Sequence, residues 1–267
     1  MAQNQASREW NSEAYHRLSR PQFEWGQKVL DRLPLRGDET VADAGCGSGK
    51  VTAELLKRLP HGRVVAMDLS QNMLQTAREH LEPRFPGQVC FITADLHDIP
   101  LDGILDGVFS TAAFHWLPDH DRLLRSLLRA LKAGGWLEAQ CGGGPNLARV
   151  RERTLALLSR PEFAPFFAGW APAWLYPDDV ATAERMRRAG FADVKTWLEE
   201  MPTTLSDAQE YKEFLATVTL HRHLARIPDP AMRERFMDEL ASQAAADNPP
   251  FTLDYWRLNL SGRKPRN

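Results

Sequence analysis

The stretch Val41-Ala42-Asp43-Ala44-Gly45-Cys46-Gly47-Ser48-Gly49-Lys50 limits what this chain can fold into more than any other. A short apolar run ends in alternating glycines, and a helix-like run, residues 51–59, follows at once. This order predicts a buried strand, a tight turn and a helix. Gly45, Gly47 and Gly49 let the backbone turn sharply and approach a ligand with no Cβ in the way. The first amides of the helix point into the turn, so polar or negative ligand groups are favoured there. Spacing narrows the choice. A phosphate-binding P-loop needs glycine where Ala44 stands and Ser or Thr where Val51 stands. The dinucleotide fingerprint needs a third glycine where Lys50 stands. What remains is a shorter Gly-x-Gly-x-Gly turn preceded by the acidic Asp43.

The rest of the chain alternates. Two short helices are predicted over residues 10–33, broken near Ser19-Arg20-Pro21 because the residue before proline avoids the helical region. Strands are predicted at 63–68, 89–93, 105–112, 136–141 and 191–198. Ser70 is placed as the N-cap of a helix over 72–81. Further helices are expected at 121–131, ending at Gly134-Gly135, and at 147–158. Others follow at 178–189, capped by Gly190, and at 207–224 and 230–246. Residues 251–260 alternate in polarity and suggest a late antiparallel strand at or near the sheet edge. The pattern implies an α/β fold: a doubly wound, mainly parallel, seven-stranded Rossmann-like sheet with a helical cap. One domain over 1–267 is expected, with a core at 37–200 and 251–264 and cap segments at 1–36 and 203–248. Ligands of such sheets sit at the strand carboxyl ends, at the topological switch point. The glycine turn, Asp68, Asp95 and His115-Trp116 all fall there.

Charged residues make up 25% of the chain and the net charge is −2, which argues against a nucleic-acid surface or an anionic membrane target. Cys46, Cys90 and Cys141 are odd in number and fall within predicted core elements, a pattern of a reducing compartment. The first ten residues are polar, and no run approaches the roughly 20 apolar residues that span a bilayer. A cytoplasmic protein with no membrane or nucleic-acid partner is expected. His221-Arg222-His223 reads as a helix surface, and no residue set has metal-ligand spacing.

Asp43-Ala44-Gly45-Cys46-Gly47-Ser48-Gly49, the acidic end of the second strand at Asp68, Asp95 after the third, and Leu131-Lys132-Ala133-Gly134-Gly135 before the fifth together resemble a class I S-adenosylmethionine-dependent methyltransferase. The resemblance covers residues 37–142, with Ser48 where most relatives carry threonine. It implies S-adenosyl-L-methionine as cofactor and S-adenosyl-L-homocysteine as product. It also implies a cofactor site of Asp43, Gly45, Cys46, Gly47, Asp68, Leu69, Met73, Asp95 and Leu96. Asp68 would accept from the ribose hydroxyls. Asp95 would accept from the adenine amino group while the Leu96 amide meets a ring nitrogen. Met73 either covers an adenine face with its thioether or fills core. Asp43, costly to bury unpaired, needs partners, of which the glycine-turn amides are nearest in sequence.

Tyr15 with Ser19-Arg20-Pro21-Gln22, and Phe114-His115-Trp116-Leu117-Pro118-Asp119-His120, resemble the trans-aconitate and juvenile hormone acid methyltransferase group, which methylates small-molecule carboxylates. The resemblance places Gln22 and Trp116 near the acceptor. Tyr15, Arg20, Trp170 and Arg222 are further acceptor-side candidates, the arginines as partners for a carboxylate. The expected reaction is an in-line displacement on a small-molecule acceptor, with His115 and Trp116 as catalytic candidates. A carboxylate acceptor needs no base. An amine, carbon or phenol acceptor would call on His115 as base; otherwise His115 orients a loop. Two other classes share these features: a nicotinamide-dependent oxidoreductase, and a catalytically silent cofactor-binding protein.

Overall fold

A computed structural model describes residues 20–170 and 175–266. Helix α1 (Arg20–Leu30) leads to β1 (Thr40–Ala44), α2 (Lys50–Lys57), β2 (Arg63–Asp68), α3 (Gln71–Leu81) and β3 (Val89–Thr93). Then come β4 (Leu105–Thr111), α4 (His120–Ala130), β5 (Leu131–Gly142), α5 (Ala148–Leu158), α6 (Asp179–Ala189) and β6 (Ala192–Glu200). The remaining elements are β7 (Thr203–Thr204), α7 (Ala208–Phe214), α8 (His221–Leu224), α9 (Pro230–Ala245), β8 (Thr252–Leu253) and β9 (Trp256–Arg263).

Local chemistry sets several of these bounds. Pro21 falls in the first turn of α1, where a missing N–H costs no helical hydrogen bond. The expected helix before it lies outside the described residues. The Ser70 hydroxyl accepts the Met73 amide at 3.3 Å and opens α3. Gly190, at φ 105°, closes α6.

Two compact units emerge. The larger contains residues 20–144, 175–199 and 257–266 and holds a seven-stranded sheet of order β3-β2-β1-β4-β5-β9-β6. β1 pairs in parallel with β2 and β4, β2 with β3, and β4 with β5. The chain winds outward from β1 to β3, then returns to the other side of β1 as β4. The switch point therefore lies between β1 and β4. Strand alternation sends Val41, Val64, Phe109 and Trp136 to one face, against Val29 and Leu30 of α1 and Leu55 and Leu56 of α2. Ala42, Met67, Val108 and Leu137 go to the other face, against Leu123 and Leu127 of α4 and Met186 of α6.

The second unit contains residues 145–170 and 200–256 and is mainly helical. Phe163 meets Phe236 edge-to-face at 5.1 Å in its core. Arg153 grips Asp247 with two hydrogen bonds of 3.0 and 2.6 Å, tying α5 to the end of α9. Among the described residues no helix is long and apolar enough to cross a membrane.

Four expectations need correction. The single helix over 207–224 is interrupted by a π-turn at Leu215–Thr219, where the Leu220 amide reaches the Leu215 carbonyl at 2.6 Å. One extra residue in the turn shifts the helical register, which periodicity over so short a span does not reveal. The late strand is two pieces. β8 pairs with β7 in a separate small sheet, and β9 runs antiparallel to β5 one position in from the edge. β5 begins at Leu131 rather than after Gly134-Gly135, because Leu131 pairs with Leu105 before the register shifts at Gly107. Cys90 is exposed on edge strand β3 rather than in the core, whereas Cys46 and Cys141 are buried; all three are free thiols.

Gly107 of β4 shows how tightly the sheet is covered. A Cβ there would enter the indole of Trp136, which is itself buried. Gly107→Ala is expected to cost about 1–3 kcal/mol from overpacking. Urea denaturation checks this, and an unmoved midpoint would contradict the packing described.

Candidate functional site

The site is built from the ends of β1, β2, β3 and β4. β1 stops at Ala44, and the next two amides, of Gly45 and Cys46, both donate to the Met67 carbonyl of β2, at 2.8 and 2.9 Å. The chain is thus folded tightly back over the sheet. Gly45, at φ 85°, lies so close to Ala113 that a Cβ would collide with that side chain. Gly47, at φ 52°, has open space where its Cβ would be. Glycine therefore serves two purposes here: close approach at Gly45 and a bare backbone facing the cleft at Gly47.

Asp68 locks this turn from the neighbouring strand. Its Oδ2 accepts the Gly47 amide at 3.0 Å and its Oδ1 accepts the Ser70 amide at 2.9 Å. Asp43 lies beneath, 2% exposed, and accepts the Thr52 hydroxyl of α2 at 2.7 Å. The hydroxyl on the first turns of the helix thus supplies the partner sought among the glycine amides. Burial pushes the Asp43 carboxyl from 3.8 up to about 7; the Thr52 hydrogen bond opposes this and the Asp68 charge adds to it. Burial likewise raises the Cys46 thiol well above its ordinary value, so this cysteine is an inert part of the turn.

A cleft opens over the turn, lined by Gln22 of α1 with Asp43, Gly45, Gly47, Lys50 and Thr111. Gln22 is buried, and its Oε1 has no hydrogen-bond partner among the described residues. A buried amide oxygen left in that state costs about 1–3 kcal/mol, which a ligand donor would recover.

Farther along the rim, Asp95 caps a 3-10 turn at Leu96–Asp98 and accepts the His97 amide at 3.0 Å. Leu96 and Met73 are buried, whereas Leu69 is 40% exposed at the end of β2. After β4, His115 and Trp116 form a second 3-10 turn. The His115 ring is buried, 5.1 Å from the Trp116 ring and 5.8 Å from that of Tyr176. Its carbonyl accepts the Leu175 amide at 3.0 Å, and its Nδ1 accepts the Gly142 amide at 3.3 Å. Burial, then the positive charge of Arg257, hold its pKa well below the usual imidazole value. Arg257 is itself buried, paired with Gly142 in the β5–β9 ladder and stacked on Trp25 at 4.5 Å.

Of the acceptor-side candidates, Gln22 and Trp116 belong to the sheet unit. Tyr15 lies outside the described residues, and Arg20 is described only as the backbone start of α1. Trp170 and Arg222 belong to the helical unit, where Trp170 stands edge-on to His223 at 4.7 Å. His221-Arg222-His223 is not a simple helix surface: His223 is 1% exposed, and burial lowers it to about 3 and His221 to about 4. No group of metal-ligating side chains occurs among the described residues. Sequence reasoning missed Thr52, His97 and Arg257. Thr52 and Arg257 meet their partners only through the fold, His97 lies two residues from Asp95, and no motif marks any of them.

Known proteins resemble this chain in both sequence and fold. A family model described as a methyltransferase domain matches residues 41–135. The trans-aconitate 2-methyltransferase of Variovorax paradoxus is 37% identical over 238 residues, covering 82% of this chain and 83% of that protein. That of Deinococcus radiodurans is 30% identical over 248 residues, 90% of this chain and 92% of the relative. An Azoarcus counterpart, 39% identical, matches over 131 residues, about half of either chain. Among solved structures, a Haemonchus contortus phosphoethanolamine N-methyltransferase bound to S-adenosylhomocysteine shares the fold, with a TM-score of 0.61 and 19% identity. The match covers 95% of this chain and 57% of that one. With motif, sheet order and near full-length relatives in agreement, the chain belongs to the class I S-adenosylmethionine-dependent methyltransferases, in the group of the trans-aconitate 2-methyltransferases.

Proposed function

We propose that this enzyme transfers the methyl group to a carboxylate oxygen of a small organic acid. The observation that carries this reading is the state of His115. The Gly142 amide can only donate, so Nδ1 carries the lone pair and the proton of the neutral ring sits on Nε2. In that tautomer Nε2 is a donor rather than a base. The depressed basicity of the ring points the same way. A carboxylate acceptor is already deprotonated and asks for a donor and a positive field. His115 offers the first, and Arg257, close enough to depress it, supplies the second. The names of the near full-length relatives support the same acceptor class.

The cofactor-side residues fit the group they would hold. Asp43 and the orphaned Gln22 Oε1 offer acceptors to an ammonium, while Lys50 offers a positive charge to a carboxylate. In this reading Gly45, Cys46 and Gly47 present bare backbone to the amino-acid end, and Asp68 receives the ribose hydroxyls. Leu69, Met73 and Leu96 flank the base, and Asp95 receives its amino group. S-adenosylmethionine supplies a methyl already activated by its sulfonium leaving group. The residues around it then have to align the acceptor and keep water out, and alignment alone accounts for about 7–11 kcal/mol of barrier. Trp116, packed on His115, serves as a wall of that space.

Assay with a panel of di- and tricarboxylic acids, phenols and amines is expected to give a methyl ester, recognised by its mass and its cleavage in mild alkali. At saturating cofactor, kcat should stay flat across the imidazole titration range, about pH 6–8, because no base is titrated. Methylation of nitrogen or a phenol, with a pH profile abolished by His115→Gln, would overturn the reading.

Asp43 gives a second test. Its carboxyl titrates at about 7 in the folded chain against 3.8 in its absence, so folding favours the neutral acid. That contribution is complete below the unfolded pKa and is lost as pH rises towards the folded one. Asp43→Asn should therefore stabilise the unliganded protein increasingly as pH rises, levelling off above the folded value, by about 1.4 kcal/mol per pH unit between the two. It should also weaken binding of the cationic cofactor. Chemical denaturation at acid and alkaline pH checks the first, calorimetry the second; equal stability at both pH values would contradict the buried state of Asp43.

A further inference from the structure

We propose that His97 is a positioning residue for adenine recognition, its ring holding the Asp95 carboxylate in the orientation that receives the exocyclic amino group. The proposal deepens the assignment of Asp95 made above and rests on it. The Ala94 amide donates to the Asp68 carbonyl at 3.1 Å, which sets Asp95 beside the end of β2, next to the contact between Asp68 and Gly47. Asp95 Oδ1 accepts the His97 backbone amide at 3.0 Å and lies 2.8 Å from Nδ1 of the same residue. Two ties on one oxygen fix the rotation of the carboxylate, and with it the direction of Oδ2.

The two partners differ in exposure. The Asp95 side chain is 44% exposed, whereas the His97 ring is 11% exposed. His97 Nε2 is buried and has no hydrogen-bond partner among the described residues. A carboxylate oxygen can only accept, so Nδ1 carries a proton and donates it to Asp95. The Asp95 contact is therefore the polar tie that defines the ring, and a buried, packed group is a rigid holder for an exposed one. The backbone tie from the His97 amide does not depend on the side chain. Removing the ring thus loosens the carboxylate while leaving the cap of the 3-10 turn in place.

Adenine presents an amino donor to this carboxylate, and hypoxanthine presents a carbonyl oxygen, which the carboxylate repels. The test compares binding of S-adenosylhomocysteine and S-inosylhomocysteine by calorimetry, with no turnover involved. The parent protein is expected to prefer the adenosyl compound roughly 10- to 100-fold, the worth of one charged hydrogen bond. Asp95→Ser, which keeps a capping oxygen but removes the carboxylate, should abolish the preference. His97→Ala should cut it by about threefold or more, from loss of orientation. His97→Asn, which places an amide nitrogen near the position of Nδ1, should restore it. In Asp95→Ser, adding His97→Ala should change nothing further. If Asp95→Ser leaves the preference intact, the Asp95 assignment fails. If Asp95→Ser abolishes it and His97→Ala does not reduce it, the assignment stands and the role of His97 is refuted. Equal weakening of both ligands by His97→Ala, at an unchanged ratio, marks a merely structural histidine and refutes it as well.

Discussion

Three amides and two acceptors at the end of β1 set the geometry of everything above the sheet. Gly45 and Cys46 share the Met67 carbonyl, and Gly47 donates to the Asp68 carboxylate. On the other side, parallel pairing between β1 and β4 covers only Val41 to Asp43. The Ala44 carbonyl is taken instead by the Ser110 hydroxyl, at 2.6 Å. The turn is thus held from β2 by backbone and carboxylate, and from β4 by a side chain spanning the point where the strands part. A crevice at a doubly wound switch point needs such divergence without orphaned backbone groups. Here one buried serine reconciles the two demands.

The rim that results has two electrostatic characters. Asp43, Asp68 and Asp95 lie at the ends of β1 to β3; burial raises the Asp43 carboxyl, the Thr52 hydrogen bond opposes this, and the Asp68 charge adds to the rise. Around the ends of β4 and β5 the sign reverses. Arg257 holds both the His115 imidazole and the Cys141 thiol lower than burial would leave them, although burial still carries that thiol up to about 12.

Much of the sheet was legible because its signals are local. Strands β2 and β3 fall where apolar runs end in Asp68 and Thr93, Ser70 caps α3, and Gly190 stops α6, each by chemistry within a few residues. The acidic strand ends and the glycine turn were legible for the same reason. What escaped depends on distant partners. Thr52 is recognisable as the companion of Asp43 only when α2 is laid over β1. Arg257 lies more than 100 residues from the His115 it influences and reaches it through the pairing of β9 with β5. The π-turn at Leu215–Thr219 and the division of residues 251–260 between two sheets are also tertiary outcomes.

β9 is the last of the described elements in sequence yet occupies an inner lane of the sheet, and β6 meets the other strands only across it. During synthesis the ribosome therefore delivers β5 and then β6 with the lane between them vacant. Until residues 256–263 emerge, β5 presents an unpaired apolar margin to the surroundings, the kind of edge that recruits foreign strands. Completion of the sheet thus waits until β9 has been made, well after the two strands it joins.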